Sequence, residues 1–140
     1  MTINSVPEIT TAGRSCAAPV SLMDLYPTLN EVCGLDQKVP QKFAGNSLAS
    51  LLNKTDQAWP YNTISSHDIG NVAITDLNYH YIRYADGSEE LYDHRNDSRE
   101  YVNLAKQPEM KPVKERLAAE IPSKWIPRPG KKGSKGADDE

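Results

Sequence analysis

The chain has 140 residues, of which 38% are hydrophobic and 25% charged, and its formal net charge is -3. This length suits one modest domain with a hydrophobic core, and the slightly acidic charge argues against nucleic acid as a partner, because phosphate binding needs a basic surface. No stretch approaches the roughly 20 apolar residues of a membrane span, and the N-terminus lacks the basic start and apolar run of a signal peptide. We therefore expect neither a membrane segment nor an export signal in these residues.

The first part of the chain is predicted to be helical after a polar lead. Residues 1–18 indicate a strand followed by a loop, which Pro19 closes. Hydrophobic side chains then recur at three- and four-residue steps along one face of a helix, at Leu22, Leu25, Leu29, Val32 and Cys33. Gly34 is typical of a helix C-terminus. Pro27 predicts that two short helical pieces meet at Tyr26 and Pro27.

A further short helix is predicted between two loops. Residues 35–46 form a polar loop, and Ser47 is the expected N-cap of a helix that runs through Leu52. Another loop then leads through Pro60.

From residue 62 to residue 94 the pattern changes to the period of two that strands show. The short β-branched or aromatic runs are Thr-Ile-Ser-Ser, Val-Ala-Ile-Thr, Tyr-Ile-Arg-Tyr and Glu-Glu-Leu-Tyr. Asp86-Gly87 is the clearest hairpin signal, because a tight primed turn needs positive φ and this pair tolerates it. We expect three or four antiparallel strands.

The last ordered element is predicted to be a helix. Turns at residues 96–98 and 103–105 lead to a helix from Glu109 to Ile121, in which Val113 and Leu117 are spaced to pack on the sheet. The fold class is therefore α+β, a small antiparallel sheet with a packed C-terminal helix. Residues 123–140 are rich in Pro, Gly and Lys and are expected to be a disordered tail.

Several of these segments resemble the sulfatase family, in the order and at the spacing that the family shows. Residues 19–35 resemble its Val-Ser-hydrophobic-hydrophobic-Asp step into a Pro-Thr-Leu helix that ends in Gly. Residues 45–52 resemble the Gly-x-Ser-Leu-x-x-Leu-Leu that follows, and residues 81–105 resemble the ending with Tyr-Ile-x-Tyr, Glu-Leu-Tyr-Asp and Asn-Leu-Ala. The likeness is closest to iduronate-2-sulfatase-like enzymes and arylsulfatases.

The resemblance implies a place in a larger enzyme of the alkaline-phosphatase-like superfamily. Residues 1–60 would belong to the end of the α/β core, and residues 61–122 would form the C-terminal antiparallel-sheet subdomain. The intact enzyme would hydrolyse a sulfate ester of a sulfated carbohydrate, with calcium at its active site. It would work in the periplasm or outside the cell.

The nucleophile of the family is a formylglycine made from the Cys or Ser of a Cys-x-Pro-x-Arg motif. Cys16 is followed by Ala-Ala-Pro and Cys33 by Gly-Leu, so neither cysteine fits. The family's metal-binding carboxylates also lie upstream of the matched region. We expect the chain to be a C-terminal piece, inactive alone, with no catalytic residue and no metal ligand of its own. The two cysteines form either a disulfide or free thiols, and free thiols are the favoured interpretation.

His67 and Asn71 are the candidate substrate-binding residues. They flank a loop between two predicted strands, and in relatives a similar His-x-x-Gly-Asn stretch approaches the substrate pocket. The alternative is that His67 merely ends a strand while Gly70 and Asn71 form a turn. His80 and His94 lie 13 and 27 residues after His67, which matches no short zinc motif, so all three histidines are interpreted as incidental surface residues.

Two other functions remain open on the sequence alone. One is hydrolysis of phosphonate or phosphate esters by an enzyme of the same superfamily, and the other is a free-standing carbohydrate-binding or interaction module. A piece of a larger enzyme should expose the apolar face of residues 20–35, where Leu22, Leu25 and Leu29 lack a partner in the rest of the chain.

Overall fold

The structure is a computed structural model that describes residues 6–10, 13–35 and 43–124. Within these ranges the elements in chain order are α1 (Leu25–Val32), α2 (Ala49–Asn53), β1 (Thr63–Ser66), β2 (Val72–Thr75), β3 (Tyr79–Arg83), β4 (Glu89–Asp93) and α3 (Lys111–Ala118). Short 3-10 helices precede α1 and α3, at Leu22–Asp24 and Pro108–Met110. Among the described residues no helix is long and apolar enough to cross a membrane.

The four predicted strands form one antiparallel sheet in the order β1-β2-β3-β4. Ile74 pairs with Tyr81, and Tyr81 pairs with Leu91, so the three side chains form a row across the sheet. Each is at most 1% exposed, and Leu117 of α3 is fully buried against the same cluster. The core therefore lies between one face of the sheet and α3, which confirms the α+β fold.

The Asp86-Gly87 hairpin is confirmed, but its turn is not the primed turn that was predicted. The Gly87 nitrogen donates to the Tyr84 oxygen at 3.0 Å and the Tyr84 nitrogen to the Ser88 oxygen at 2.9 Å, so the loop has three residues. Of these only Gly87 has a positive φ, of 85°. A three-residue loop of this kind needs one left-handed residue, whereas the type I′ turn that Asp-Gly favours needs two.

The first two helical pieces meet two residues earlier than predicted. α1 begins at Leu25 directly after the 3-10 helix, so the junction lies at Asp24 and Leu25 and not at Tyr26 and Pro27. Pro27 is the third residue of α1, where a backbone nitrogen has no carbonyl partner within the helix. Its missing N–H therefore removes no helical hydrogen bond, and the helix continues through it.

α1 ends where Gly34 predicts. Gly34 has a φ of 61°, its nitrogen donates to the Glu31 oxygen at 3.2 Å, and the Leu35 nitrogen donates to the Asn30 oxygen at 3.0 Å. These two bonds form a Schellman motif, in which a left-handed residue satisfies the last carbonyl groups of a helix.

The buried face of the 3-10 helix and α1 is polar. The Asp24 carboxylate accepts hydrogen bonds from the Ser21 and Asn46 nitrogens, both at 2.7 Å. The Thr28 hydroxyl donates to the Asp24 carbonyl at 2.5 Å and accepts from the Leu48 nitrogen at 2.8 Å. These bonds attach the loop before α2 to α1, so the contact between the two helices depends on two buried polar side chains.

The hydrophobic face of the same segment is exposed, as expected for a piece of a larger enzyme. This α1 apolar face consists of Leu22, Met23, Tyr26 and Leu29, whose exposed fractions lie between 51% and 80%. Leu25 and Val32 are the exceptions in the predicted stripe, because both are half-buried.

α2 begins one residue later than predicted. Leu48, and not Ser47, occupies its cap position, and the helix runs from Ala49 to Asn53. The Ser47 hydroxyl still accepts a hydrogen bond from the Ala49 nitrogen at 3.2 Å, so it caps the helix from the residue before the N-cap.

Asp93 organises the turn after β4. Its carboxylate accepts from the Arg95 backbone nitrogen at 3.0 Å and from the Arg95 side chain at 2.8 and 2.7 Å. The Asn96 amide donates to it at 3.2 Å, and Arg95 also reaches the Tyr79 hydroxyl at 2.6 Å. Asp93 is buried, so these bonds compensate for the loss of water around its charge.

α3 lies where it was predicted, although its α-helical part is shorter. The turn of 3-10 helix replaces the expected start at Glu109, and the Ile121 nitrogen donates to the Ala118 oxygen in a turn at the end. Val113 and Ile121 pack against the core beside Leu117. The predicted spacing is therefore confirmed.

Two expectations concern the first and last residues. The described residues up to 18 contain no strand: the nitrogens of Ile9 and Thr10 both donate to the Val6 oxygen in a turn. The tail prediction falls almost wholly on residues 125–140, which lie outside the described residues. A domain boundary near residue 60 stays a prediction.

Replacing Thr28 by Val should destabilise the attachment of α2. Thr28→Val keeps the shape of the side chain but leaves the Leu48 nitrogen without its buried acceptor, which costs about 1–3 kcal/mol. The urea midpoint of the chain should fall accordingly. Thr55→Val, at a half-buried position after α2, serves as the control and should change stability by less than about 0.5 kcal/mol. Equal midpoints for the two variants would contradict this role of Thr28.

The contribution of Asp93 to stability should depend on pH. Hydrogen bonds from the Arg95 side chain lower the pKa of Asp93 to about 2, from 3.8. A carboxyl with a lowered folded pKa stabilises the protein fully above its unfolded pKa, and this contribution disappears as the pH falls through the folded value. Asp93→Asn should therefore lower the urea midpoint at pH 7. Between pH 4.5 and 2, the urea midpoint of this variant should fall by less than that of the native chain. Parallel pH profiles would contradict the assignment.

Candidate functional site

The predicted substrate-binding residues flank the loop that joins β1 to β2. The His67 nitrogen donates to the Asn71 oxygen at 3.0 Å and so closes the loop. Asp68 and Gly70 have positive φ values of 57° and 89°. A Cβ on Gly70 would lie 3.0 Å from the Ala85 side chain, so the loop is packed closely against the hairpin that joins β3 to β4.

Asn71 ties these two hairpin loops together. Its side-chain oxygen accepts a hydrogen bond from the Ala85 nitrogen at 3.0 Å. This contact occupies an acceptor that substrate binding would use, and it gives Asn71 a clear part in holding the loop. Its direct contact with a substrate stays a prediction.

His67 is the accessible group of the loop. Its side chain is 83% exposed, and its Nε2 lies 3.4 Å from an Asp68 carboxylate oxygen. The imidazole therefore projects from a loop whose backbone is fixed at both ends. Such a group can donate a hydrogen bond to a sulfate oxygen or a sugar hydroxyl.

The two cysteines are not joined in a disulfide. Cys16 and Cys33 are both free and exposed, which decides between the two sequence-based alternatives in favour of free thiols.

A calcium site of the kind implied by the resemblance does not fit the described residues. Among them, the only group of three or more potential ligands from His, Cys, Asp and Glu is His80, His94 and Glu100. Calcium takes six to eight oxygen ligands, whereas two of these three offer nitrogen. The acidic pair Asp138-Asp139 lies outside the described residues.

Two of the three histidines are not the incidental surface residues that the sequence indicated. Glu100 Oε1 lies 2.7 Å from His80 Nδ1 and 2.7 Å from His94 Nε2, and all three side chains are half-buried. Burial raises the pKa of Glu100, but the hydrogen bonds from His94 and His80 outweigh that effect and lower it overall. The carboxylate is therefore ionised at neutral pH.

Strand register, and not sequence spacing, brings these residues together. His80 pairs with Tyr92 across β3 and β4, and the His94 nitrogen donates to the Asn78 oxygen at 2.8 Å just beyond the strand end. His80 and His94 are thus diagonal neighbours on one face of the sheet. The signal that could have revealed them is the hairpin itself: pairing the two strands outward from its turn places the histidines side by side.

The comparisons with known proteins agree with this fold. Residues 2–125 match the family model described as N-sulphoglucosamine sulphohydrolase, C-terminal. A sulfatase of Formosa agariphila is 34% identical over 113 residues, which are 79% of this chain and 21% of that protein. The Delta 4,5-hexuronate-2-O-sulfatase of Bacteroides thetaiotaomicron is 37% identical over 95 residues, 61% of this chain and 19% of that protein.

A solved structure of a 2-O GAG sulfatase is also similar, with 32% identity and a TM-score of 0.53 over 69% of this chain and 22% of that one. The chain thus spans about a fifth of the length of the relatives it matches. The matched region includes the helical segment, the sheet and α3. The chain belongs to the sulfatase family, in the part of it described as the C-terminal region of N-sulphoglucosamine sulphohydrolase.

Proposed function

We propose that this chain forms the C-terminal domain of a sulfatase that hydrolyses sulfate esters of carbohydrates. The observation that carries the proposal is the family match over residues 2–125. The names of two relatives, a Delta 4,5-hexuronate-2-O-sulfatase and a 2-O GAG sulfatase, support sulfated sugars as the substrate class.

The covalent chemistry would come from polypeptide beyond these residues. The sulfatase nucleophile requires Cys-x-Pro-x-Arg, which neither Cys16 nor Cys33 provides. A calcium ion, when bound, would stabilise the charge on the sulfate oxygens, and its ligands would also have to lie elsewhere. The part assigned to this chain is therefore binding and positioning.

The α1 apolar face supports a partner of this kind. Four large hydrophobic side chains, Leu22, Met23, Tyr26 and Leu29, are exposed together, although the polar face of the same segment is buried. A contiguous exposed patch of this composition marks an interaction surface. We assign it to contact with the α/β core of the sulfatase, which would also supply the nucleophile.

His67 would contribute to substrate binding from the β1–β2 loop. Its imidazole is exposed, while the Asn71–Ala85 hydrogen bond keeps the backbone behind it in place. A hydrogen bond from His67 to a sulfate or sugar oxygen would then form without ordering the loop, so little of its energy would be lost as entropy.

Hydrolysis of a phosphonate or phosphate ester is the alternative activity, since enzymes of the same superfamily catalyse that reaction. A chimera tests whether this chain completes an enzyme that acts on sulfated sugars. Residues 19–122 of this chain replace the corresponding segment of the Bacteroides thetaiotaomicron relative, and the chimera is assayed with a 2-O-sulfated unsaturated disaccharide and with a phosphonate monoester. We expect it to hydrolyse the sulfated sugar in preference, while the 140-residue chain alone hydrolyses neither.

The matched control is the same chimera with Leu22→Glu and Leu29→Glu, which places charge in the proposed contact and should abolish activity. Preference for the phosphonate would favour the alternative activity. Hydrolysis by the chain alone, or full activity of the charged double variant, would contradict the proposed division of labour.

Replacing His67 in the active chimera should weaken substrate binding. A hydrogen bond to a charged group contributes about 1.5–3 kcal/mol, so His67→Ala should raise KM about tenfold or more and leave kcat within about twofold. Initial rates against disaccharide concentration measure both constants. Ser65→Ala, an exposed change on β1, is the control. Unchanged KM for His67→Ala would remove His67 from the site.

A further inference from the structure

We propose that His80, His94 and Glu100 form a binding site for a transition-metal dication, best matched by zinc, with water completing the coordination. One ligand atom of each residue lies within 4.8 Å of the other two. The test of this site does not depend on the proposed function.

The donor atoms select the metal. Two imidazole nitrogens and one carboxylate oxygen suit zinc and its neighbours in the transition series, whereas magnesium and calcium prefer oxygen ligands alone. Two histidines and one glutamate are a ligand set that zinc uses when it keeps a position open for water. The three side chains are 20–32% exposed, so an ion and its water can reach them.

The geometry requires a small movement. Without metal, Glu100 Oε1 lies 2.7 Å from each histidine nitrogen, which is hydrogen-bond spacing. Ligands about 2.0–2.1 Å from a tetrahedral zinc ion lie about 3.3 Å apart. Opening the two contacts by about half an ångström is within the reach of side-chain rotation. Each imidazole would bind the ion through this nitrogen once the proton that it donates to Glu100 has moved to its other ring nitrogen or to water.

The backbone already presents Glu100 to the histidines. Glu100 has a φ of 60°, a left-handed conformation that is unfavourable for a non-glycine residue. The loop is held there because the Glu100 nitrogen donates to the Asp97 oxygen at 3.2 Å and the Val102 nitrogen to the Asp97 carboxylate at 2.8 Å. Strain of this kind at a polar cluster is typical of a binding site.

The other two ligands come from fixed positions. His80 lies within β3, next to the fully buried Tyr81, and the backbone of His94 is bonded to Asn78. Sites built on such rigid elements keep the spacing that a metal requires.

The position of the site indicates a structural role. His80 pairs with Thr75 at one end of β2, whereas Val72 at the other end adjoins the β1–β2 loop that carries His67. At about 3.3 Å per strand residue, Thr75 and Val72 lie about 10 Å apart along the sheet. An ion at the cluster would join β3 to the segment after β4 and stabilise the sheet, away from the substrate loop.

The test is metal binding by the whole 140-residue chain carrying Cys16→Ser and Cys33→Ser, so that exposed thiols do not compete. After treatment with a chelator, zinc is titrated calorimetrically and cobalt(II) is followed by its visible absorption. We expect one zinc ion per chain, a higher Tm with zinc, and no change of Tm with calcium or magnesium. Cobalt should show the absorption of a site of low coordination number with nitrogen ligands.

Variants locate the site. His94→Gln and Glu100→Gln should each weaken zinc at least about tenfold, since even residues that only support metal ligands contribute tenfold or more. His67→Gln, the histidine outside the cluster, should leave zinc affinity unchanged. If a cluster variant fails to fold, the cobalt spectrum of the chain with the intact cluster serves as the test. A spectrum of the aquated ion would then overturn the proposal. The proposal would also be overturned if zinc binding were not saturable, or if the cluster variants bound zinc as tightly as the chain with the intact cluster. The three residues would then be a hydrogen-bonded triad.

Discussion

The buried row formed by Ile74, Tyr81 and Leu91 sets the register on which the rest of the sheet depends. Side chains alternate along a strand, so a slip of one residue in β3 would turn Tyr81 out to solvent and His80 into the core. The full burial of Leu117 against this row makes such a slip costly. The same register places Asn71 beside Ala85 at one end of the sheet and His80 diagonal to His94 at the other. Both candidate sites are thus consequences of core packing.

The helical segment follows the opposite arrangement, with polar side chains inside and hydrophobic ones outside. Asp24 and Thr28 are buried because together they supply hydrogen bonds to four backbone groups that would otherwise lose water without compensation. Gly45 allows the close contact, since a Cβ there would overlap the carbonyl of Met23. A hydrophobic stripe in a sequence therefore marks a surface that needs a partner, and the partner need not be in the same set of elements.

The sequence predicted the elements well and their contacts less well. Period-two patterns located all four strands, and Gly34 located the end of α1, because these signals depend on local backbone geometry. The exposed hydrophobic face of α1 was predicted, but its buried polar contacts were not, since Asn46 and Leu48, which bond to Asp24 and Thr28, lie 22 and 20 residues away. His67 could be singled out from a local motif, whereas the His80–His94–Glu100 cluster depends on cross-strand pairing and on the left-handed backbone at Glu100, neither of which local spacing reveals.

The strand order has a consequence for how the protein acquires its structure. Each strand pairs only with its neighbours in the chain, so the sheet is assembled from successive hairpins with short loops. Contacts between residues close in sequence form quickly, because little chain entropy is lost in closing the loops. The sheet and α3 can therefore form early during folding, while the proposed contact between the α1 apolar face and the α/β core would form later.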